Sequence, residues 1–101
     1  MDAATRLAIE TPLRTMEVCV DSMATIKAMA EHGNPASVSD AGVGALCARS
    51  GVIGAELNVR INAKDLEDEA ARADYVARAR DLRAAAEALE IEILGIVESK
   101  I

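Results

Sequence analysis

The stretch that decides the fold is Ser37 to Asn62, SVSDAGVGALCARSGVIGAELNVRIN. Val43, Leu46, Ser50, Ile53, Leu57 and Ile61 recur in it at steps of three and four, the period of one helix face. Around that stripe lie Gly42, Gly44, Gly51 and Gly54 with Ala41, Ala45, Ala48 and Ala55. Each glycine inside a helix costs about 0.8–1 kcal/mol relative to alanine. So many of them predict that another surface, a facing helix before a ligand, comes close to this one. At the start, Ser37 and Asp40 have the spacing of a capping box, with Ser39 as the competing N-cap. Asn58-Val59-Arg60-Ile61-Asn62 alternates like a strand, but it continues the helical pattern and is read as helix.

Working outward, the segment before it carries Ile9, Leu13, Met16, Val20 and Met23 on one helical face. Thr11-Pro12 sits within that pattern, so residues 3–10 form either a leading turn or a bent extension. His32-Gly33-Asn34-Pro35 ends the block, with Gly33 suited to the left-handed residue after a helix and Pro35 barring continuation. After the acidic run Asp65 to Glu69, a third block places Tyr75, Ala79, Leu82, Ala86, Leu89, Ile93 and Ile96 on a coiled-coil-like seam. Arg80, Arg83, Glu87, Glu90 and Glu98 make its solvated face. The acidic start complements the positive end of the helix dipole.

These readings give an all-α protein, an antiparallel bundle of about three long helices in one domain, residues 1–101. Such a chain has little to bury. Half of it is apolar, but much of that is alanine, and Tyr75 is its one aromatic residue. A core this small removes only about 65% of the unfolded chain's surface from water. Completion by self-association, most simply a homodimer, is therefore expected.

Composition also narrows the function. A net charge of −6 without a basic, aromatic-studded stripe speaks against nucleic-acid binding. No run approaches the ~18 apolar residues of a membrane span, and the N-terminus lacks the layout of a secretory leader. Cys19 and Cys47 have neither metal-ligand spacing nor a disulfide-rich context, so both are read as reduced, cytoplasmic and mainly core. His32, at a helix end, is expected to interact with the dipole rather than to catalyse.

The run Gly33 to Ala45, followed by Ala55-Glu56-Leu57-Asn58-Val59-Arg60-Ile61-Asn62, resembles the folate cyclodeaminase/cyclohydrolase family. That is the family of formiminotetrahydrofolate cyclodeaminase and bacterial methenyltetrahydrofolate cyclohydrolase. Ile9-Glu10-Thr11-Pro12-Leu13-Arg14, with Glu17 a turn later, is similar to the segment ahead of these motifs. The resemblance covers nearly the whole chain and about the C-terminal half of a typical member; the family's Pro-Gly-Gly-Gly-Ser type of turn has no counterpart here.

The resemblance implies chemistry on the one-carbon unit between N5 and N10 of tetrahydrofolate. Either a formimino group closes to the methenyl bridge with loss of ammonia, or water opens that bridge. It implies a folate ligand and no metal or further cofactor, since carboxylates and amides suffice for proton transfer and positioning. Asn34, Ser37, Ser39, Asn58, Arg60 and Asn62 are the candidate substrate-binding residues, with Arg60 suited to the glutamate tail. Asp40 is the candidate proton carrier, with a helix cap as its other reading. If residues 40–62 form one helix, Asp40 and Asn62 lie about 33 Å apart. Two copies packed antiparallel would bring the polar ends together across a two-fold axis. A non-catalytic helical oligomerisation module is the alternative function.

Overall fold

The computed structural model describes residues 2–101. It contains three long helices, α1 (Asp2–His32), α2 (Val38–Ala63) and α3 (Glu69–Lys100), with a single 3-10 turn at Pro35–Ser37. Short connections make consecutive helices antiparallel, so α1 and α3 run the same way. All three pack on one another in a rod with a Cα envelope of 51 × 17 × 16 Å. The all-α bundle expected from the periodicity is present, and no strand occurs among the described residues.

The core follows the spacing read in α1 and α3. Ile9, Leu13, Met16 and Met23 are buried, with Val20 packed beside them. From α3 come Tyr75, Ala79, Ala86, Ile93 and Val97, flanked by Leu82, Leu89 and Ile96. Pro12 lies inside α1, which makes residues 3–10 a continuation of the helix. Asp68 begins α3 by accepting from the Ala71 N–H at 3.0 Å, and Leu66 is buried in the loop before it. At the other pole Lys100 donates to the Ala30 and Glu31 carbonyls, both at 2.6 Å. It thereby satisfies carbonyls that the end of α1 leaves open.

α2 packs the other way round from its large-residue stripe. Its buried face is Val38, Ala41, Gly42, Ala45, Val52, Ala55, Val59 and Ala63. Val43, Leu46, Leu57 and Ile61 are instead 59, 44, 55 and 59% exposed, and Ile53 is half-buried. The reason is close approach. A Cβ on Gly42 would touch Val97 and Leu94, one on Gly44 would touch Ile26, and one on Gly51 would meet Cys19 Sγ at 3.4 Å. Small side chains let both neighbouring helices come in, and the large ones are turned outward.

Two local expectations are corrected. No described residue, glycine included, has a positive φ, so Gly33 is not a left-handed terminator. Its N–H bonds to the Met29 carbonyl at 2.7 Å, and a Cβ there would lie 2.3 Å from that oxygen. Glycine is needed for space, not for handedness. Nor does the Ser37–Asp40 capping box form, because Ser37 precedes α2 with no side-chain bond. Asn34 does the capping, its Oδ1 accepting from the Ala36 N–H at 2.9 Å to start the 3-10 turn. Cys47 is exposed rather than core, while Cys19 is half-buried; both thiols are free.

Candidate functional site

The candidate residues fall at the two ends of α2. At its start stand Asn34, Ser37, Ser39 and Asp40, all exposed. Among the described residues, no hydrogen bond or ion pair engages the side chains of Ser37, Ser39 or Asp40. At its other end Asn58 is exposed and equally uncommitted, and Arg60 is exposed with Nη1 3.8 Å from Glu56 Oε1. Asn62 is half-buried and donates from Nδ2 to the Ala8 carbonyl at 3.3 Å. α2 is a continuous helix of 26 residues, about 39 Å long. The single chain thus keeps Asp40 and Asn62 far apart, as expected for one unbroken helix.

Between these polar ends runs the outward apolar strip Val43, Leu46, Cys47, Ser50, Ile53, Gly54, Leu57 and Ile61. Two of the charged residues within its span point elsewhere: Glu56 is buried at 2% exposure, and Arg49 pairs with Glu90 on α3 at 3.0 Å; Arg60 stands exposed at its C-terminal end. Gly54 lies in the middle of the strip, and a Cβ added to it would meet nothing within 4 Å. Near the polar C-terminal end, Leu57, Arg60, Ile61 and Lys64 line an open groove of about 190 Å³.

Glu56 is the residue that sequence reasoning missed. It sits on the small-residue face of α2, three and four positions from Val52, Val59 and Arg60. Arg83 of α3 donates from Nη1 to its Oε1 at 2.9 Å and from Nε to Glu87 at 3.2 Å. The hydrogen bond to Glu56 is the main reason that the Arg83 guanidinium holds its proton more tightly than usual. Arg83, Glu87 and Glu90 are therefore part of the α2–α3 junction, a correction to the solvated face expected for them. A carboxylate spaced with buried valines was the available signal.

A second polar group joins the starts of α1 and α3. Tyr75, 5% exposed, donates its hydroxyl to Glu10 Oε2 at 2.6 Å. That bond raises the phenol's pKa, burial raises it further, and Arg6 opposes both. Arg78 lies over the Tyr75 ring, 5.7 Å from its centroid, and Arg6 pairs with Asp68 at 3.4 Å. His32 is 80% exposed in its side chain and lies 3.5 Å from Glu31 at the end of α1. Among the described residues no three His, Cys, Asp or Glu side chains gather as metal ligands. No described helix is long and apolar enough to cross a membrane.

Comparison with known proteins supplies the ancestry. Residues 1–81 match the family model described as formiminotransferase-cyclodeaminase. The methenyltetrahydrofolate cyclohydrolase of Methylorubrum extorquens is 38% identical over 98 residues, which is 97% of this chain and 47% of that protein. The formimidoyltransferase-cyclodeaminase of Gallus gallus is 41% identical over 70 residues, 68% of this chain and 13% of the relative. Its Dictyostelium discoideum counterpart is 40% identical over 68 residues, again 13% of the relative. The chain spans about half the length, or less, of these relatives. With most of its length matched by that model and nearly all of it aligned to the Methylorubrum extorquens enzyme, the chain belongs to the formiminotransferase-cyclodeaminase family.

Proposed function

We propose that this chain acts in tetrahydrofolate one-carbon metabolism, as a cyclodeaminase or a methenyltetrahydrofolate cyclohydrolase working as a homodimer. The observation that carries the reading is the layout of α2. Two groups of polar side chains, all but half-buried Asn62 exposed, stand at the ends of an apolar strip, within the residues 1–81 that match the family model. Two α2 helices packed antiparallel through that strip would cross near Ser50 and Gly54, the middle of the helix. Asp40 of one copy would then face the Arg60 end of the other, a self-complementary pairing of charge across the two-fold axis. Each shared pocket would hold Asn34, Ser37, Ser39 and Asp40 from one copy, with Asn58, Arg60 and Asn62 from its twin.

In that pocket the substrate is the folate itself, and the proposed chemistry uses no resident metal or further cofactor. Opening of the methenyl bridge adds water to the bridging carbon and breaks one C–N bond. Ring closure of the formimino group forms a C–N bond and releases ammonia. Both pass through a tetrahedral carbon flanked by nitrogens, so a carboxylate that exchanges protons with the attacking or leaving group serves either direction. Asp40 takes that role. Arg60, whose nearest partner is the shared Glu56 oxygen at 3.8 Å, is free to pair with the folate's carboxylates. Asn34 and Asn62 each spend one polar atom on the backbone, leaving the other for the pterin. The two free thiols fit a reducing, cytoplasmic setting.

The test is direct. The purified chain, incubated with methenyltetrahydrofolate, should remove its absorbance faster than the spontaneous rate, and Asn58→Ala and Arg60→Ala should abolish the excess. Sedimentation should give a dimer at micromolar concentration. The second reading is a non-catalytic helical oligomerisation module, for which the outward apolar strip of α2 would suffice without the polar ends. A dimer with no excess rate and no thermal shift from folates would establish that module; a stably folded monomer would remove the shared pocket altogether.

A further inference from the structure

Proline inside a helix leaves one carbonyl without its donor. In α1 that proline is Pro12, and the carbonyl four residues back belongs to Ala8. The ring has no N–H to offer, and it presses on the same carbonyl, tilting it away from the helix axis. The acceptor left open in this way is the one that Asn62 reaches, donating from Nδ2 at 3.3 Å across 54 residues of sequence. Leu7, one residue earlier, shows the contrast: Thr11 Oγ1 donates to its carbonyl from within the same helix at 3.0 Å. Lys100 also crosses from another helix, but only to the terminal Ala30 and Glu31 carbonyls. Among the described residues, Ala8 is the carbonyl within the body of α1 that draws a side-chain donor from another helix.

We propose that Asn62 is a positioning residue whose amide replaces the N–H that Pro12 lacks, clamping the last turn of α2 to α1. Two features fit that role. Ala63, next to Asn62, is buried, and the Val59 side chain one turn back is fully so, which holds the helix so that Asn62 faces α1. Tyr75–Glu10 and Arg6–Asp68 fasten the residues before Pro12 to the start of α3 at the same pole. The segment of α1 weakened by proline is therefore tied from two neighbouring helices. The clamp sets where Asn58 and Arg60 stand; their importance rests on the folate reading above, whereas the clamp itself does not.

A double-mutant cycle on the full chain tests it without any ligand. With Pro12 present, Asn62→Ala should lower the thermal midpoint by several degrees, as loss of one net hydrogen bond does in a domain of this size. In the Pro12→Ala chain, where the helix supplies its own N–H to Ala8, the same change should cost less than half as much. Asn62→Asp, which keeps the shape and removes the donor, should follow the alanine variant. The Asn62 side-chain amide protons should exchange with solvent more slowly than those of exposed Asn58. Equal losses in both backgrounds, or Asn62 protons exchanging as fast as those of Asn58, would overturn the clamp. Folate turnover could then still be present, and a clamp that holds in a chain inactive on folates would leave this inference standing alone.

Discussion

Arg83 on α3 reaches Glu56 on α2, donating from Nη1 to Oε1 at 2.9 Å, and so neutralises the one buried charged side chain among the described residues. The carboxylate is 2% exposed, whereas the guanidinium keeps part of its surface in water. Such a pair stabilises only as long as both members are present, because the buried partner cannot regain its hydration.

The two halves of the pair should therefore respond unequally. Glu56→Leu replaces the buried charge with an apolar side chain of similar volume and frees Arg83 to turn toward solvent. The variant is expected within about 1 kcal/mol of the parent, or more stable. Arg83→Leu leaves Glu56 buried with only Arg60 at 3.8 Å and should lower the urea midpoint by clearly more. Chemical denaturation of both variants and the double variant reads the order; the double variant should recover most of what Arg83→Leu loses.

Gly54 separates the bundle from its proposed assembly. A methyl there would meet nothing within 4 Å in one chain, so Gly54→Ala should stabilise the isolated helix by about 1 kcal/mol. If a second α2 crosses at this point, the same methyl pushes the copies apart. The expected outcome is a more stable subunit with a weaker dimer, seen as a higher melting midpoint at low concentration and a larger dissociation constant in sedimentation.

Tyr75 gives stability a pH signature at the alkaline end. Its phenol pKa is raised above the ordinary value near 10, first by the hydrogen bond to Glu10 and then by burial. A group that binds its proton more tightly when folded stabilises fully below its unfolded pKa and loses that contribution as pH climbs through the folded one. Wild-type stability should thus fall above about pH 10 more steeply than that of Tyr75→Phe. At neutral pH the phenylalanine variant should be weaker by about 1–2 kcal/mol through loss of a bond to a charged acceptor. Urea midpoints measured from pH 8 to 11 would show the two curves converging.

Gly33→Ala should destabilise although no left-handed backbone is involved. Its Cβ would stand 2.3 Å from the Met29 oxygen, so the end of α1 must shift, at about 1–3 kcal/mol, in the range of other overpacking changes. Gly44→Ala, whose Cβ would rest in ordinary contact 3.5 Å from Ile26, should instead stabilise, by up to about 1 kcal/mol. Paired thermal melts distinguish a need for space from a need for backbone freedom.

How much of this was legible depended on what sets burial in each helix. In α1 and α3 the apolar residues at helical spacing face the core, while Leu7, Met29 and Ile91 off that spacing are exposed, so Ile9, Leu13, Met16, Ile93 and their neighbours could be read from spacing alone. α2 reverses that logic. Apart from Glu56, its buried face holds only Ala, Gly and Val, and size-weighted periodicity then picks out the exposed strip. Glu56 was hidden for a related reason, since a charge on the buried face makes sense only once Arg83 is seen beside it. Asn34 stood out in the sequence, but part of its prominence is the capping of a 3-10 turn that begins at Pro35. The polar residues of the candidate site were recognisable as motifs; their backbone duties were not, because those depend on what the adjacent helix leaves unsatisfied.

That dependence reaches into how the sequence can change. The proline at position 12 opens a vacancy that the amide at position 62 fills. Mutational drift that restores an N–H at 12 releases 62 from that backbone duty. Drift that removes the amide first leaves the chain waiting for the proline to go. Substitutions at these two sites should be tolerated in one order far more readily than in the other.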